Sequence, residues 1–195
     1  MMSGFEYLIA LASVVAGLCL TRALSGLAKM VHLRVRAQIQ ISDIHIIWTA
    51  NILLWLISFW WFTYTLASVA QWTIPLFLWV LVYGALIFFL TALLYPDNLD
   101  ANAGLLSHFM GTRHWFFGTF VALGVVDIAD VWVKLHYGVP PPPVQIYSIF
   151  MIGWFAVGIV GAYTGNPTIH RVIAYLWFVV IALNATLAIS PGVPI

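Results

Sequence analysis

The chain has 195 residues, of which 64% are hydrophobic and 7% are charged, and its mean hydropathy is +1.04. A soluble domain carries about 25% charged residues, so this composition cannot cover a water-facing surface. The net charge of +1 gives no indication of nucleic-acid binding, and the single cysteine, Cys19, excludes an intramolecular disulfide.

The apolar runs predict six transmembrane helices of about 20 residues each, because that length crosses a bilayer. In chain order they cover residues 5–27, 43–66, 72–94, 115–135, 144–164 and 169–189. These runs are too long and too evenly apolar for the alternating strands of a β-barrel. The first run lacks the basic start of a signal peptide, so we expect it to be retained. The whole chain, 1–195, is predicted to be one all-α polytopic membrane domain.

The basic residues predict how this bundle is oriented. With six spans, most of them fall in loops on one side, and only Lys134 falls on the other. The residues on the first side are Lys29, Arg34, Arg36, Arg113 and Arg171. The positive-inside rule therefore predicts that both termini lie outside, which is the periplasm if the membrane is a bacterial inner membrane. The connectors at 28–41 and 99–114 are predicted to lie along the cytoplasmic interface and contact lipid headgroups.

Three patches in the first 120 residues stand out together. They are FEYLIALASVVAGLCLTRALSGLA at 5–28, LLYPDNLD at 93–100 and RHWFF at 113–117. With these patches the chain resembles a broad group of small, uncharacterised bacterial multi-pass membrane proteins. The resemblance implies an inner-membrane setting and a similar number of spans, and it implies no activity and no site residues.

The stretch VVDIADVWVK, at 125–134, places two aspartates and a lysine inside the fourth span. Asp127 lies about 18 Å beyond Trp115 along a helix, slightly past the middle of a hydrocarbon core about 30 Å thick. Asp130 and Lys134 are four residues apart, which favours an ion pair on one helix face. Asp127 is thus left deeper, beside a like charge, and we expect it to be protonated or to contact water.

Two interpretations of Asp127 remain open at this point. Its carboxyl group could make a hydrogen bond across a helix interface, to Asn184 or to a serine or threonine. It could instead be a station for a proton or cation, with Asp130 beside it, because intramembrane carboxylates are costly and usually face an interior or a wet cavity. Asp130 is expected mainly to pair with Lys134.

Other polar groups in the spans are predicted to hold helices together. Arg22 and Asp43 have similar depths near the inner interface, so an ion pair between them is expected. Asn51 lies about 12 Å further into the second span, where an amide usually ties helices together. Gly158 and Gly161 on the fifth span, with Gly153, permit close helix approach.

Several histidines and two acidic residues in a turn are candidate ligands for a cofactor or a metal ion. His45 could pair with His114 or His170 around a haem or a metal ion, although interfacial histidines that bond to headgroups are the simpler interpretation. The leading hypothesis is that the protein binds no cofactor, and haem is the alternative. Asp97 and Asp100, near Arg113, suit either a phosphate or metal role or simple turn capping.

One face of the second span is aromatic. Trp55, Phe59 and Phe62 form a stripe that could stack a flat apolar ligand such as a quinone or carotenoid, or serve only for packing and lipid contact.

Two classes of function follow from these features. The first is a small channel or transporter for a proton, a cation or a small solute, with Asp127 as its station. The second is a non-catalytic accessory or assembly subunit of a larger membrane complex, and self-association is possible in either case. An enzyme acting in redox or lipid chemistry is a third, weaker hypothesis, since no catalytic motif is present. A wet cavity that reaches Asp127 would favour the first class.

Overall fold

Six long α-helices account for most of the protein. The computed structural model describes residues 4–37, 41–69, 72–95 and 104–188, and this part of the chain contains no strand. The helices are α1 Gly4–Ala37, α2 Asp43–Tyr64, α3 Ile74–Leu94, α4 Leu105–His136, α5 Val144–Tyr163 and α6 Pro167–Ala188, and a 3-10 turn, Thr65–Ser68, follows α2. All six are long and apolar enough to cross a membrane. The predicted multi-pass helical membrane fold is therefore confirmed.

Successive helices run in opposite directions, so the bundle has two ends. Helices α2, α4 and α6 begin at one end of the bundle, where Arg171 pairs with Asp43 and where α1 ends with Lys29 and Arg34. We call this the basic end. We call the other the proline end, after the connector at 139–143. Phe5 packs against Tyr64 and Trp72 at the proline end, with ring centres 6.1 Å apart in each case. Both the first and the last described residues lie at this end, and its predicted periplasmic location stays a prediction.

Two helices are longer than the predicted spans. α1 has 34 residues and α4 has 32, or about 51 and 48 Å, against about 30 Å of hydrocarbon. Residues 28–37 and 105–114 therefore continue α1 and α4 instead of forming separate connectors, and their predicted location along the cytoplasmic interface stays a prediction. No proline interrupts either stretch, and 28–37 is rich in good helix formers such as alanine, leucine, lysine and arginine.

Helix α2 lies at the centre, where it packs against α1, α3 and α6. Its Trp48 side chain is fully buried and meets three rings of α4 edge-on. The centre of the Trp48 ring lies 4.9 Å from that of Phe116, 5.6 Å from Phe117 and 5.7 Å from Phe120. These four rings, which we call the aromatic plug, fill the bundle between its middle and the basic end.

Helices α4 and α5 approach closely at two glycines. A Cβ atom placed on Gly158 would overlap the Val121 side chain, and one on Gly161 would overlap the Phe117 ring. The predicted close approach is confirmed at these two positions. It is wrong for Gly153, where a Cβ atom would have nothing within 4 Å.

Candidate ion site around Asp127

Three helices converge on the Asp127 carboxyl group. The Tyr83 hydroxyl, from α3, donates to Oδ1 at 3.0 Å, and the Tyr147 hydroxyl, from α5, donates to Oδ2 at 2.9 Å. The Trp55 indole N–H, from α2, donates to the Tyr83 oxygen at 3.2 Å. Since an indole can only donate, Tyr83 must give its own hydrogen to Asp127. The carboxyl group is thus held by two phenols, and one of them is itself oriented.

These partners differ from the ones expected for a structural role. Asn184, a serine or a threonine was predicted to bond to Asp127, and the two tyrosines do so instead. A phenol reaches farther than a hydroxymethyl group, so Tyr147 can contact Asp127 from only the first turn of α5. Asp127 is nine residues, or about 14 Å, from the end of α4.

A cavity opens beside Asp127 in the proline-end half of the bundle. Its volume is about 60 Å³. That is enough for several water molecules, since one needs roughly 10–15 Å³ of such space. Asn184, on α6, also lines this space, together with the polar side chains of Ser58 and Tyr83. The lining residues are Trp55, Ser58, Phe59, Phe62, Tyr83, Asp127, Phe150, Trp154, Ile181 and Asn184.

The aromatic stripe predicted on α2 faces this cavity. Trp55, Phe59 and Phe62 all line it. Pockets for ligands of drug size have volumes of about 300–1,000 Å³. A cavity of about 60 Å³ does not fit a quinone or a carotenoid. The stripe therefore suits a much smaller occupant.

The neighbouring ion pair is as predicted. Lys134 Nζ lies 2.7 Å from Asp130 Oδ2, one helical turn apart, and both side chains are largely buried. The same ammonium group lies 5.7 Å from the centre of the Phe62 ring. Asp130 is thus committed to Lys134, and Asp127 is the carboxylate that faces the cavity.

We expect Asp130→Asn to lower the stability of the protein modestly. The change leaves the Lys134 ammonium without its anion, but a lysine near a helix end can extend toward water, which limits the loss to about 1–2 kcal/mol. Thermal unfolding in mild detergent measures it. Asp43→Asn, which breaks a far more exposed ion pair, is the matched control and should have a smaller effect. A larger loss for Asp43→Asn would contradict the assignment.

Asp43 forms its ion pair with Arg171 and not with Arg22, the predicted partner. The Arg171 guanidinium, from α6, binds both oxygens of Asp43, and its Nη2 lies 3.3 Å from Oδ1. Arg22 donates instead to the backbone carbonyl of Tyr95 at 3.0 Å. The predicted pairing of Arg22 with Asp43 was therefore wrong. Asp43 and Arg171 lie in the first turns of α2 and α6, two neighbouring helices that run in the same direction from the basic end, and this brings them together.

The prediction for Asn51 is confirmed. Its amide Nδ2 donates to the Ala174 carbonyl at 3.0 Å, which ties α2 to α6.

The three candidate cofactor histidines lie mainly among aromatic rings. His45 is fully buried and packs against Tyr95 and Phe109. His170 also packs against Phe109, and its Nε2 lies 3.0 Å from the Thr164 carbonyl oxygen, while His114 contacts Tyr163. Within the described ranges, no three His, Cys, Asp or Glu side chains converge as metal ligands would. Haem binding at these histidines stays a prediction.

The acidic turn lies outside the described residues. Asp97 and Asp100 are in it, so their predicted capping or phosphate role stays a prediction. Arg113, their predicted neighbour, donates a hydrogen bond to the Met110 carbonyl on its own helix.

Comparison with known proteins does not assign this chain to a family. No protein-family model, no curated protein and no solved structure matches the chain. The resemblance to small bacterial multi-pass membrane proteins stays a prediction.

Proposed function

We propose that the protein is a small transporter that moves a proton or a small cation across the membrane, with Asp127 as the station inside the bundle. The observation that carries this proposal is the cavity beside Asp127, which Asn184 also lines. A carboxylate needed only to join helices would not require a cavity next to it. Carboxylates at this depth usually serve ion or proton pathways where water can reach them.

The hydrogen bonds around Asp127 suit a binding station. Tyr83 and Tyr147 hold both oxygens in fixed directions, and Trp55 orients Tyr83. Such preorganisation lets a charged group keep its position while an ion or proton arrives and leaves. The network joins α2, α3, α4 and α5, so a change in the charge of Asp127 can alter the contacts of four helices.

The two halves of the bundle favour a transporter over an open channel. The cavity lies toward the proline end, whereas the aromatic plug fills the space toward the basic end. A cation that reached Asp127 from the proline end would have to wait until the rings of the plug moved. Access from one side at a time is the arrangement that transport by alternating access requires.

The setting we propose is a bacterial inner membrane, with both ends of the chain in the periplasm. Lys29 and Arg34, on the last turns of α1, support this orientation because basic residues favour the cytoplasmic side and its anionic lipid headgroups. In this orientation the cavity lies in the periplasmic half of the bundle.

Reconstitution of the purified protein into liposomes tests the proposal. We expect flux above that of empty liposomes when a pH gradient or a voltage is imposed, read from an internal pH dye for protons and from the membrane potential for other cations. Absence of flux for protons, alkali cations and ammonium ions would overturn the proposal. The hypothesis of an accessory subunit in a larger membrane complex would then lead, and chains that co-purify in mild detergent would be its evidence.

A further inference from the structure

We infer that the cation taken by the Asp127 cavity is a small organic ammonium ion. This inference rests on the proposed function, and it deepens it by naming the class of substrate. It follows from the chemistry of the cavity lining, from an ammonium group that the protein itself holds nearby, and from the size of the cavity.

Aromatic rings dominate the cavity lining. Six of its ten residues carry them: Trp55, Phe59, Phe62, Tyr83, Phe150 and Trp154. The faces of such rings attract ammonium groups and especially their methylated forms, through the ring quadrupole. One carboxylate, Asp127, stands at the wall of this aromatic space to balance the charge. An anion or a neutral sugar would find neither cationic groups nor enough hydrogen-bonding partners among these residues.

The same lining suits metal cations poorly. Calcium takes about six to eight oxygen ligands, and magnesium takes an octahedral set. Besides Asp127, the residues with side-chain oxygens that line the cavity in the described part of the chain are Asn184, Ser58 and Tyr83. Both Asp127 oxygens already accept hydrogen bonds from tyrosines, and the Ser58 hydroxyl donates to the Leu54 carbonyl at 3.0 Å. A dehydrated metal ion would therefore be left with too few ligands.

Lys134 shows how this region of the protein accommodates an ammonium group. Its Nζ is held by a carboxylate, Asp130, at 2.7 Å and lies 5.7 Å from the centre of the Phe62 ring. Phe62 also lines the cavity. One turn deeper, Asp127 and the remaining rings offer the same combination of a carboxylate and aromatic faces, without a lysine to fill it. A free ammonium ion would complete that second arrangement.

The size of the cavity sets the size of the ion. About 60 Å³ corresponds to roughly four to six positions for single water-sized groups. Tetramethylammonium, with its four methyl groups around one nitrogen, has this size, and smaller methylated ammonium ions also fit, whereas large hydrophobic amines do not fit without rearrangement. Tetramethylammonium is the better probe, because it has no neutral form that crosses the bilayer unaided.

Binding to the purified protein in mild detergent tests this inference. Trp55 and Trp154 line the cavity, so tryptophan fluorescence reports its occupancy. We expect a saturable change with tetramethylammonium that neither potassium nor the neutral analogue tert-butanol reproduces. Asp127→Asn should weaken the binding at least about tenfold, because the ammonium then loses its buried counter-charge. Phe150→Leu should weaken it about two- to fivefold through the loss of one aromatic face.

Phe89→Leu is the matched control for the aromatic change. Phe89 lies on α3, is 48% exposed on the outside of the bundle, and does not line the cavity. Its variant should bind tetramethylammonium as the wild type does. If Asp127→Asn does not fold, Phe150→Leu and this control still decide the question. Equal responses to tetramethylammonium and tert-butanol, or no saturable response at all, would overturn the inference.

The flux experiment and the binding experiment test the proposed transport and the proposed ligand class independently. Flux of protons or potassium without tetramethylammonium binding would overturn the inference and leave the proposed transport standing. Specific tetramethylammonium binding without flux of any ion would support the ligand class and overturn transport.

Discussion

Asp127→Asn is expected to abolish ion flux in proteoliposomes while leaving the protein folded. The amide is nearly isosteric with the carboxyl group, so Oδ1 can still accept from Tyr83. Its nitrogen can donate to the Tyr147 oxygen, which reverses one hydrogen bond without breaking the link to α5. The variant can neither hold a charge nor release a proton. Flux should therefore fall to the level of empty liposomes, with thermal unfolding close to that of the wild type.

Asp43→Asn is the matched control for this prediction. It removes a carboxylate of the same type, at the basic end, where Asp43 binds Arg171 and takes no part in the cavity. Its flux should equal that of the wild type. If Asp127→Asn conducted normally, Asp127 would be a helix contact only, and an accessory role for the protein would become the better hypothesis.

Gly161→Ala is expected to have the largest effect on stability among conservative changes in α5. The added methyl group would overlap the Phe117 ring, which is fully buried and part of the aromatic plug. Overpacking of a dense interior costs about 1–3 kcal/mol, since rings and backbone must shift to make room. A lower midpoint of thermal unfolding in detergent would measure it.

The control for Gly161→Ala lies on the same helix. Gly153→Ala makes the same chemical change where a Cβ atom meets nothing within 4 Å. It should be neutral or should stabilise by up to about 1 kcal/mol, because alanine favours the helix more than glycine does. Equal losses for the two variants would show that α4 and α5 do not meet at Gly161.

The sequence predicts the features of this protein that depend on one helix at a time. Hydropathy and the length of a bilayer span place α2 at 43–66, against the observed Asp43–Tyr64. The pairing of Asp130 with Lys134 follows from their spacing on α4 and is confirmed. The excess length of α1 and α4 was not predicted, because hydropathy identifies only the apolar segment that crosses the bilayer. A helix can continue beyond that segment until a proline, a glycine or another helix-ending residue stops it.

The contacts between helices could not be predicted in the same way. In a soluble helix the apolar face points to the core, but in lipid both the buried and the exposed faces are apolar. The rotation of each helix is then hidden, and with it the approach of Tyr83 and Tyr147 to Asp127. The same ambiguity led to Arg22 rather than Arg171 as the predicted partner of Asp43. Tyrosines within apolar spans near an intramembrane carboxylate are the only signal that could have indicated the network.

The central claim is that water at the proline end reaches the Asp127 cavity while the basic end is closed, and Asn184→Cys tests it most directly. This variant leaves Asp127 intact, and a Cys19→Ala background removes the native thiol. Two reference variants, Pro141→Cys in the proline connector and Lys29→Cys near the basic end, define which face of a membrane vesicle a charged thiol reagent reaches. We predict that the thiol at position 184 reacts from the face that labels position 141 and is protected from the face that labels position 29. Labelling of position 184 only from the face that labels position 29, or from neither face, would contradict the account.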